Sequence, residues 1–125
     1  MKKILVVDDS ESIRQQVADG LTRAGFQVVE AGDGIAALQQ VKEHDFAMVI
    51  LDVNMPFLNG LDLLDRLKKE PKTSHIPVIM LTTEAQRSVI ERARQAGAKG
   101  WLIKPIKMEN VVSTVSKLVK AAETP

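Results

Sequence analysis

Short apolar runs and amphipathic stretches alternate from one end of the chain to the other. The runs at residues 4–7, 28–31, 47–51, 77–81 and 101–103 are rich in Val and Ile and too short for helices. Several are apolar on consecutive residues, as parallel strands covered on both faces must be. Between them the apolar positions recur every three or four residues. Ile13, Val17 and Leu21 mark a first helix, with Ser10 or Ser12 to cap its start and Gly25 to end it. Ile35, Leu38 and Val41 mark a second, opened by the Gly32-Asp33-Gly34 turn, and Leu61, Leu64 and Leu67 a third, stopped by Pro71. Residues 85–96 carry Val89, Ile90 and Ala93 but few large anchors, so this helix is expected to be the most weakly held. Met108, Val111, Val112, Val115, Leu118 and Val119 form the clearest stripe, on a last helix.

Five strand–helix units in a row imply an α/β fold, a (βα)5 doubly wound parallel sheet with right-handed crossovers. In such sheets ligands bind outside the carboxyl ends of the strands, where the winding reverses. The chain has 125 residues, 45% of them hydrophobic, which suits a single domain spanning 1–125 with one core region. Seventeen Lys and Arg against sixteen Asp and Glu leave a net charge of +1, so no whole-chain attraction to nucleic acid or a membrane follows. The absence of cysteine removes disulfides, thiolate metal sites and cysteine nucleophiles. Met1-Lys2-Lys3 resembles the start of a secretory signal, but the apolar run after it meets Asp8-Asp9 too early. A cytoplasmic location is the expectation.

The strand ends carry the chemistry. Asp8 and Asp9 follow the first strand and Asp52 the third; Thr82, Thr83 and Glu84 follow the fourth, and Lys104 and Pro105 the fifth. With the first and third strands adjacent, three carboxylates share one mouth, and two charges 4 Å apart repel by roughly 4 kcal/mol at an effective dielectric of 20. Lys104 cannot neutralise all three. A hard divalent cation such as Mg²⁺, which all-oxygen ligation suits, is expected to make up the difference, the alternative being that Asp8 and Asp9 only cap the first helix. The same acids repel a bare phosphate, and neither GxGxxG nor GxxxxGK[ST] occurs, so a nucleotide or flavin cradle is not expected. A carboxylate can instead accept a phosphoryl group, with a metal, the Lys104 ammonium and the Thr82 hydroxyl stabilising the transferring oxygens. Asp52 is the best candidate nucleophile, on a strand expected to be central.

Four motifs in order, Val6-Val7-Asp8-Asp9-Ser10, Leu51-Asp52-Val53-Asn54-Met55-Pro56 with Gly60, Leu81-Thr82-Thr83-Glu84, and Gly97-Ala98 leading to Lys104-Pro105, resemble the receiver domain of two-component response regulators, especially the stand-alone chemotaxis type. The resemblance covers essentially the whole chain and implies strand order 2-1-3-4-5 in a flavodoxin-like, CheY-like fold. It implies that Asp52 is the phosphoacceptor and that one Mg²⁺ is held by Asp9, Asp52 and the Asn54 carbonyl, with Asp8 acting through water. It further implies that Lys104, the Thr82 hydroxyl and the Thr83 backbone N–H meet the phosphoryl oxygens, that Lys104-Pro105 is cis, and that Asn54 and Glu84 tune phosphoryl lifetime. Thr82 and an aromatic residue form the switch in such domains. That aromatic is usually Tyr or Phe, and here it is Trp101. A larger ring needs either an enlarged pocket or a place outside it.

The implied partners are a sensor histidine kinase as phosphodonor and a downstream protein, either the flagellar motor switch or a histidine phosphotransfer protein. With no output domain after Pro125, association is the expected output of a monomer, without nucleic acid or membrane. Arg87, Arg92, Arg94 and Lys99, around the fourth helix, form no aromatic-interleaved nucleic-acid patch, and the resemblance suggests a partner surface there. His44 and His75 are expected to be solvated. Two rivals remain open. A haloacid-dehalogenase-like phosphatase also uses a strand-end Asp with Mg²⁺, but it needs a second Asp two residues on, where Asn54 stands. A binding module that has lost phosphorylation would not need the intact acids, Thr82 and Lys104. On the leading reading the chain is a regulatory protein that catalyses only its own phosphorylation and dephosphorylation.

Overall fold

The computed structural model describes residues 2–53, 55, 59–83 and 87–123. Five strands, β1 (Lys3–Val7), β2 (Gln27–Ala31), β3 (Met48–Asp52), β4 (Val78–Thr82) and β5 (Gly100–Ile103), alternate with five helices. The helices are α1 (Glu11–Arg23), α2 (Gly34–Glu43), α3 (Gly60–Lys69), α4 (Arg87–Gln95) and α5 (Met108–Glu123). The strands pair in parallel in the order β2-β1-β3-β4-β5. That is the (βα)5 arrangement of the flavodoxin-like fold.

Every residue of β3 and β4 is buried, which explains their unbroken apolar runs. Alternate side chains feed two separate layers. Leu5, Val7, Val49, Leu51, Val78 and Met80 pack with residues of α2, α3 and α4 such as Ala37, Val41, Leu64 and Ala93. Ile4, Val6, Met48, Ile50, Ile79 and Leu81 face the other way, against Val17 and Leu21 of α1 and Val111, Val115 and Val119 of α5. In α4 only Ala93 is fully buried among the described residues, with the apolar Val89 and Ile90 partly so. This matches the sparse anchoring expected of that segment.

Local capping sets where the helices start. The Ser10 side chain accepts the Ile13 N–H, that of Asp33 the Ala36 N–H and that of Asn59 the Asp62 N–H. Gly25 and Gly97 take positive φ just past the ends of α1 and α4, where an L side chain would be strained. Gly60 answers a different demand. Its N–H donates to the Val53 carbonyl at 2.9 Å, and a Cβ there would run into the Asp52 carbonyl oxygen. Gly60→Ala is therefore expected to shift the segment after β3 and to cost about 1–3 kcal/mol, the usual penalty of overpacking, measured as a lower urea midpoint.

His44 departs from expectation. It ends α2 half-buried, with Nδ1 3.1 Å from Lys3 Nζ and its ring 5.8 Å from that of Phe46. A chain turn that brings β1 and the α2 exit together encloses a residue that sequence position alone makes solvated. His75 is exposed. Among the described residues, no helix is long and apolar enough to cross a membrane.

Candidate functional site

Register brings the acids together. Val7 pairs with Leu51, so the next residues along β1 and β3 are Asp8 and Asp52, side by side at the carboxyl edge. Asp52 and Thr82 prove to be the last residues of their strands instead of the first beyond them. Thr82 pairs with Ile103, and its carbonyl accepts the Lys104 N–H at 2.7 Å, which brings the β5 exit to the same edge. The Lys104-Pro105 peptide bond is cis.

Asp8, Asp9 and Asp52 each present a carboxylate oxygen, all within 4.8 Å of one another. Asp8 and Asp52 are buried, whereas Asp9 is exposed. The Lys104 ammonium lies 3.0 Å from Asp8 Oδ2 and 3.3 Å from Asp52 Oδ1. Asp8 is committed on both sides: Oδ1 accepts the Ser10 N–H at 2.9 Å, while Oδ2 faces the ammonium without an aligned hydrogen bond. Asp9 has no hydrogen-bond or ion-pair partner among the described residues. Burial presses Lys104 toward its neutral form. Contact with Asp8 and the charges of Asp52 and Asp8 together outweigh it, so its pKa lies above the ordinary 10.5.

One ammonium thus faces three carboxylates. The donor set fits a hard divalent cation, because it is all oxygen, carries surplus negative charge and includes a buried Asp8 oxygen lacking an aligned donor. Thr82 is buried at the end of β4, and Thr83 is exposed just beyond it. Asn54 and Glu84 lie outside the described residues. Trp101 is 37% exposed and shares the outer face of β5 with Ile103, while Leu102 packs inward against the α1–α5 layer. Of the two placements expected for the indole, this conformation has the outer one.

Arg14 is the residue that the sequence reading missed. Its guanidinium donates from Nη1 to the Asp8 carbonyl at 2.8 Å and from Nε to Glu30 Oε1 at 3.1 Å. A Cβ at Gly32 would lie 3.3 Å from Nη1, so a residue with no side chain leaves room for the group. Arg14 thereby ties α1 and the exit of β2 to the turn carrying both aspartates. The available signal was an arginine one turn past the Ser10 cap, pointing back toward an acidic strand end.

The response regulator receiver domain family matches residues 4–116. Chemotaxis protein CheY-3 of Vibrio cholerae is 39% identical over 117 residues, 93% of this chain and 90% of its own length. Chemotaxis protein CheY of Pseudomonas aeruginosa is 36% identical over 93% of this chain and 94% of its own. The crystallised chemotaxis protein CheY4 of Vibrio cholerae superposes with a TM-score of 0.91 at 37% identity, over 94% of this chain and 98% of that one. This chain belongs to the response regulator receiver domain family. Two-component response regulation is its business, and receiver domains bind Mg²⁺ at an acidic pocket, which here corresponds to the Asp8, Asp9 and Asp52 cluster.

In a receiver domain the Arg14 contact to the acidic turn has a measurable consequence. Arg14→Ala is expected to weaken Mg²⁺ binding about tenfold, the low end of what outer-shell partners contribute, as read by calorimetry. Removing a positive charge acts the other way. A rise in affinity would therefore show that Arg14 works by charge and does not position the turn.

Proposed function

We propose that the protein is a phosphorylation-controlled switch in which Asp52 accepts a phosphoryl group from a histidine kinase with one Mg²⁺ bound. The observation that carries the reading is the buried Asp52 carboxylate, 3.3 Å from the Lys104 ammonium and grouped with Asp8 and Asp9. Asp9, Asp52 and the Asn54 carbonyl would hold the metal, with Asp8 acting through water. When bound, Mg²⁺ offsets the surplus carboxylate charge and draws electron density from the phosphoryl oxygens.

An Asp52 oxygen attacks the phosphorus of phosphohistidine. The new P–O bond forms as the P–N bond breaks, and the electron pair goes to the imidazole nitrogen, which takes up a proton. Lys104, the Thr82 hydroxyl and the Thr83 N–H stabilise the equatorial oxygens. Water later attacks the same phosphorus, releasing phosphate and restoring the Asp52 carboxylate, at a rate that Asn54 and Glu84 tune. Between those events the phosphorylated state is selected, with Thr82 and Trp101 as the switch pair, and the partner binds that state more tightly.

The similarity to chemotaxis proteins along nearly the whole chain supports a chemotactic role, with a flagellar motor switch component as the downstream target. In that role the protein is a cytoplasmic monomer and a regulator, and its catalysis is confined to its own phosphoryl group. A histidine phosphotransfer protein is the alternative target.

The test uses Trp101, the only tryptophan of the chain, as a reporter. Mg²⁺ is titrated, then beryllofluoride is added while indole emission is followed, and intact mass is measured after acetyl phosphate with Mg²⁺. One phosphoryl adduct per chain is expected. No adduct with Mg²⁺ present would end this reading, and continuous release of phosphate from a small monoester would favour a phosphatase.

A further inference from the structure

A second candidate site lies at the opposite edge of the sheet from the acids. The helices run back along the strands, so the last turns of α2 and α3 sit at the strands' amino ends. There the two helices enclose a depression of about 430 Å³. Its floor is apolar, with the partly exposed Leu38 over the buried Val41 and Leu67. Four cations, Lys42, Arg66, Lys69 and Lys72, line it against a single carboxylate, Glu70. A shallower depression of about 490 Å³ continues along α2, sharing Leu38 and Lys42 and adding Ile35, which is 63% exposed. Ile35, Leu38 and Lys42 fall on one face of α2, so the two depressions form a single groove with an apolar track; its rim is basic around the deeper part, while Glu43 joins Lys42 on the shallower one.

Cations in a last turn also suit the helix dipole. The dipole accounts for their position along each helix but not for their gathering around one apolar floor shared by two helices. Lys72 is spoken for: its ammonium donates to the Lys42 carbonyl at 3.0 Å and lies 4.0 Å from Asp45. The side chains of Lys42, Arg66 and Lys69 are exposed and have no hydrogen-bond or ion-pair partner among the described residues. With a whole-chain charge of only +1, this is local enrichment and not a general basicity.

We propose that the α2–α3 groove docks an acidic amphipathic segment of a partner protein, and that it does so whether or not Asp52 is phosphorylated. The occupant seats apolar side chains on Ile35 and Leu38, the apolar groove residues with open surface, and presents carboxylates to Lys42, Arg66 and Lys69, the mode in which an amphipathic helix lies in a groove. Nucleic acid is the poorer match, since none of the lining residues is aromatic and bases have nothing to stack on. A flat membrane is a poorer match for a concave floor. Because the basic part of the groove lies at the strands' amino ends, away from the acidic mouth, it tethers the partner without reading the switch.

The probe is a fluorescein-labelled helical peptide of alternating Glu-Glu and Leu-Leu pairs, with a Lys-for-Glu peptide and phosphatidylglycerol vesicles as controls. Anisotropy is measured on the full chain, with and without Mg²⁺ and beryllofluoride. Saturable binding of the acidic peptide alone is expected. Arg66→Glu with Lys69→Glu should weaken it about tenfold and Ile35→Ser by roughly threefold, all three positions being exposed enough to leave the fold intact. Amide shifts should cluster on α2 and α3, and beryllofluoride should change the affinity less than about twofold. Absence of binding, indifference to the charge reversal, preference for vesicles, shifts elsewhere, or a large beryllofluoride effect would each overturn the proposal. None of these outcomes bears on whether Asp52 accepts phosphate.

Discussion

Asp52→Asn is expected to abolish the single phosphoryl adduct formed with acetyl phosphate and Mg²⁺ while making the metal-free protein more stable. The first effect follows from chemistry: an amide of nearly the same size is a far poorer nucleophile toward phosphorus. The second follows from the charges around it. At an effective dielectric of 20, the attraction of Asp52 to Lys104 at 3.3 Å amounts to about 5 kcal/mol. Repulsion from the buried Asp8, within 4.8 Å, is at least about 3.5 kcal/mol on the same scale, and the exposed Asp9 adds a smaller, solvent-screened repulsion. Attraction and repulsion therefore nearly offset each other, and burial of the Asp52 charge tips the balance toward the neutral amide. Urea denaturation in EDTA should show the gain, and millimolar Mg²⁺ should stabilise the parent more than the variant, because ligand binding favours the state that holds it. A variant that lost both the adduct and stability would instead point to damage of the fold. A variant still phosphorylated at one site per chain would move the acceptor away from Asp52.

How far residues alone lead can be judged at particular places. The unbroken apolar runs of β3 and β4 marked central strands because both faces of each are covered, which removes the alternation of a half-exposed strand. Asp52 and Thr82 looked like first residues after a strand because polar side chains read as turns. The backbone ladder continues through both, since the Val53 N–H still donates to the Leu81 carbonyl at 2.9 Å and the Lys104 N–H to the Thr82 carbonyl at 2.7 Å. Strand order was legible only through the family motifs, for nothing within β1 says that β3 and not β4 lies beside it. Arg14 was illegible for a related reason. An arginine in the first turns of an amphipathic helix looks solvated until the pairing of β1 with β2 brings Glu30 and the Asp8 carbonyl to it. The outward Trp101 is a consequence of β5 lying at the sheet edge, with one face uncovered at that point. Residue type alone left both placements open.

Lys104→Met should lower stability by about 3 kcal/mol, since it removes the cation from two buried carboxylates, and should slow phosphorylation by roughly 100-fold. Methionine keeps most of the side-chain volume, so the loss reports charge more than packing. The pH dependence separates the two. Because the pKa of Lys104 is raised in the folded chain, its contribution is complete below 10.5 and fades as pH rises through the higher folded value. The parent should therefore lose an increment of stability above pH 10.5 that the variant does not, and the two unfolding curves should draw together there. Mg²⁺ should recover part of the variant's stability at neutral pH, because a cation returns to the cluster, but not its phosphorylation rate, because no donor replaces the ammonium at the phosphoryl oxygens. Parallel curves at all pH values would mean that Lys104 acts through its alkyl chain. Full recovery of the rate by Mg²⁺ would mean that the ammonium never meets the transferring group.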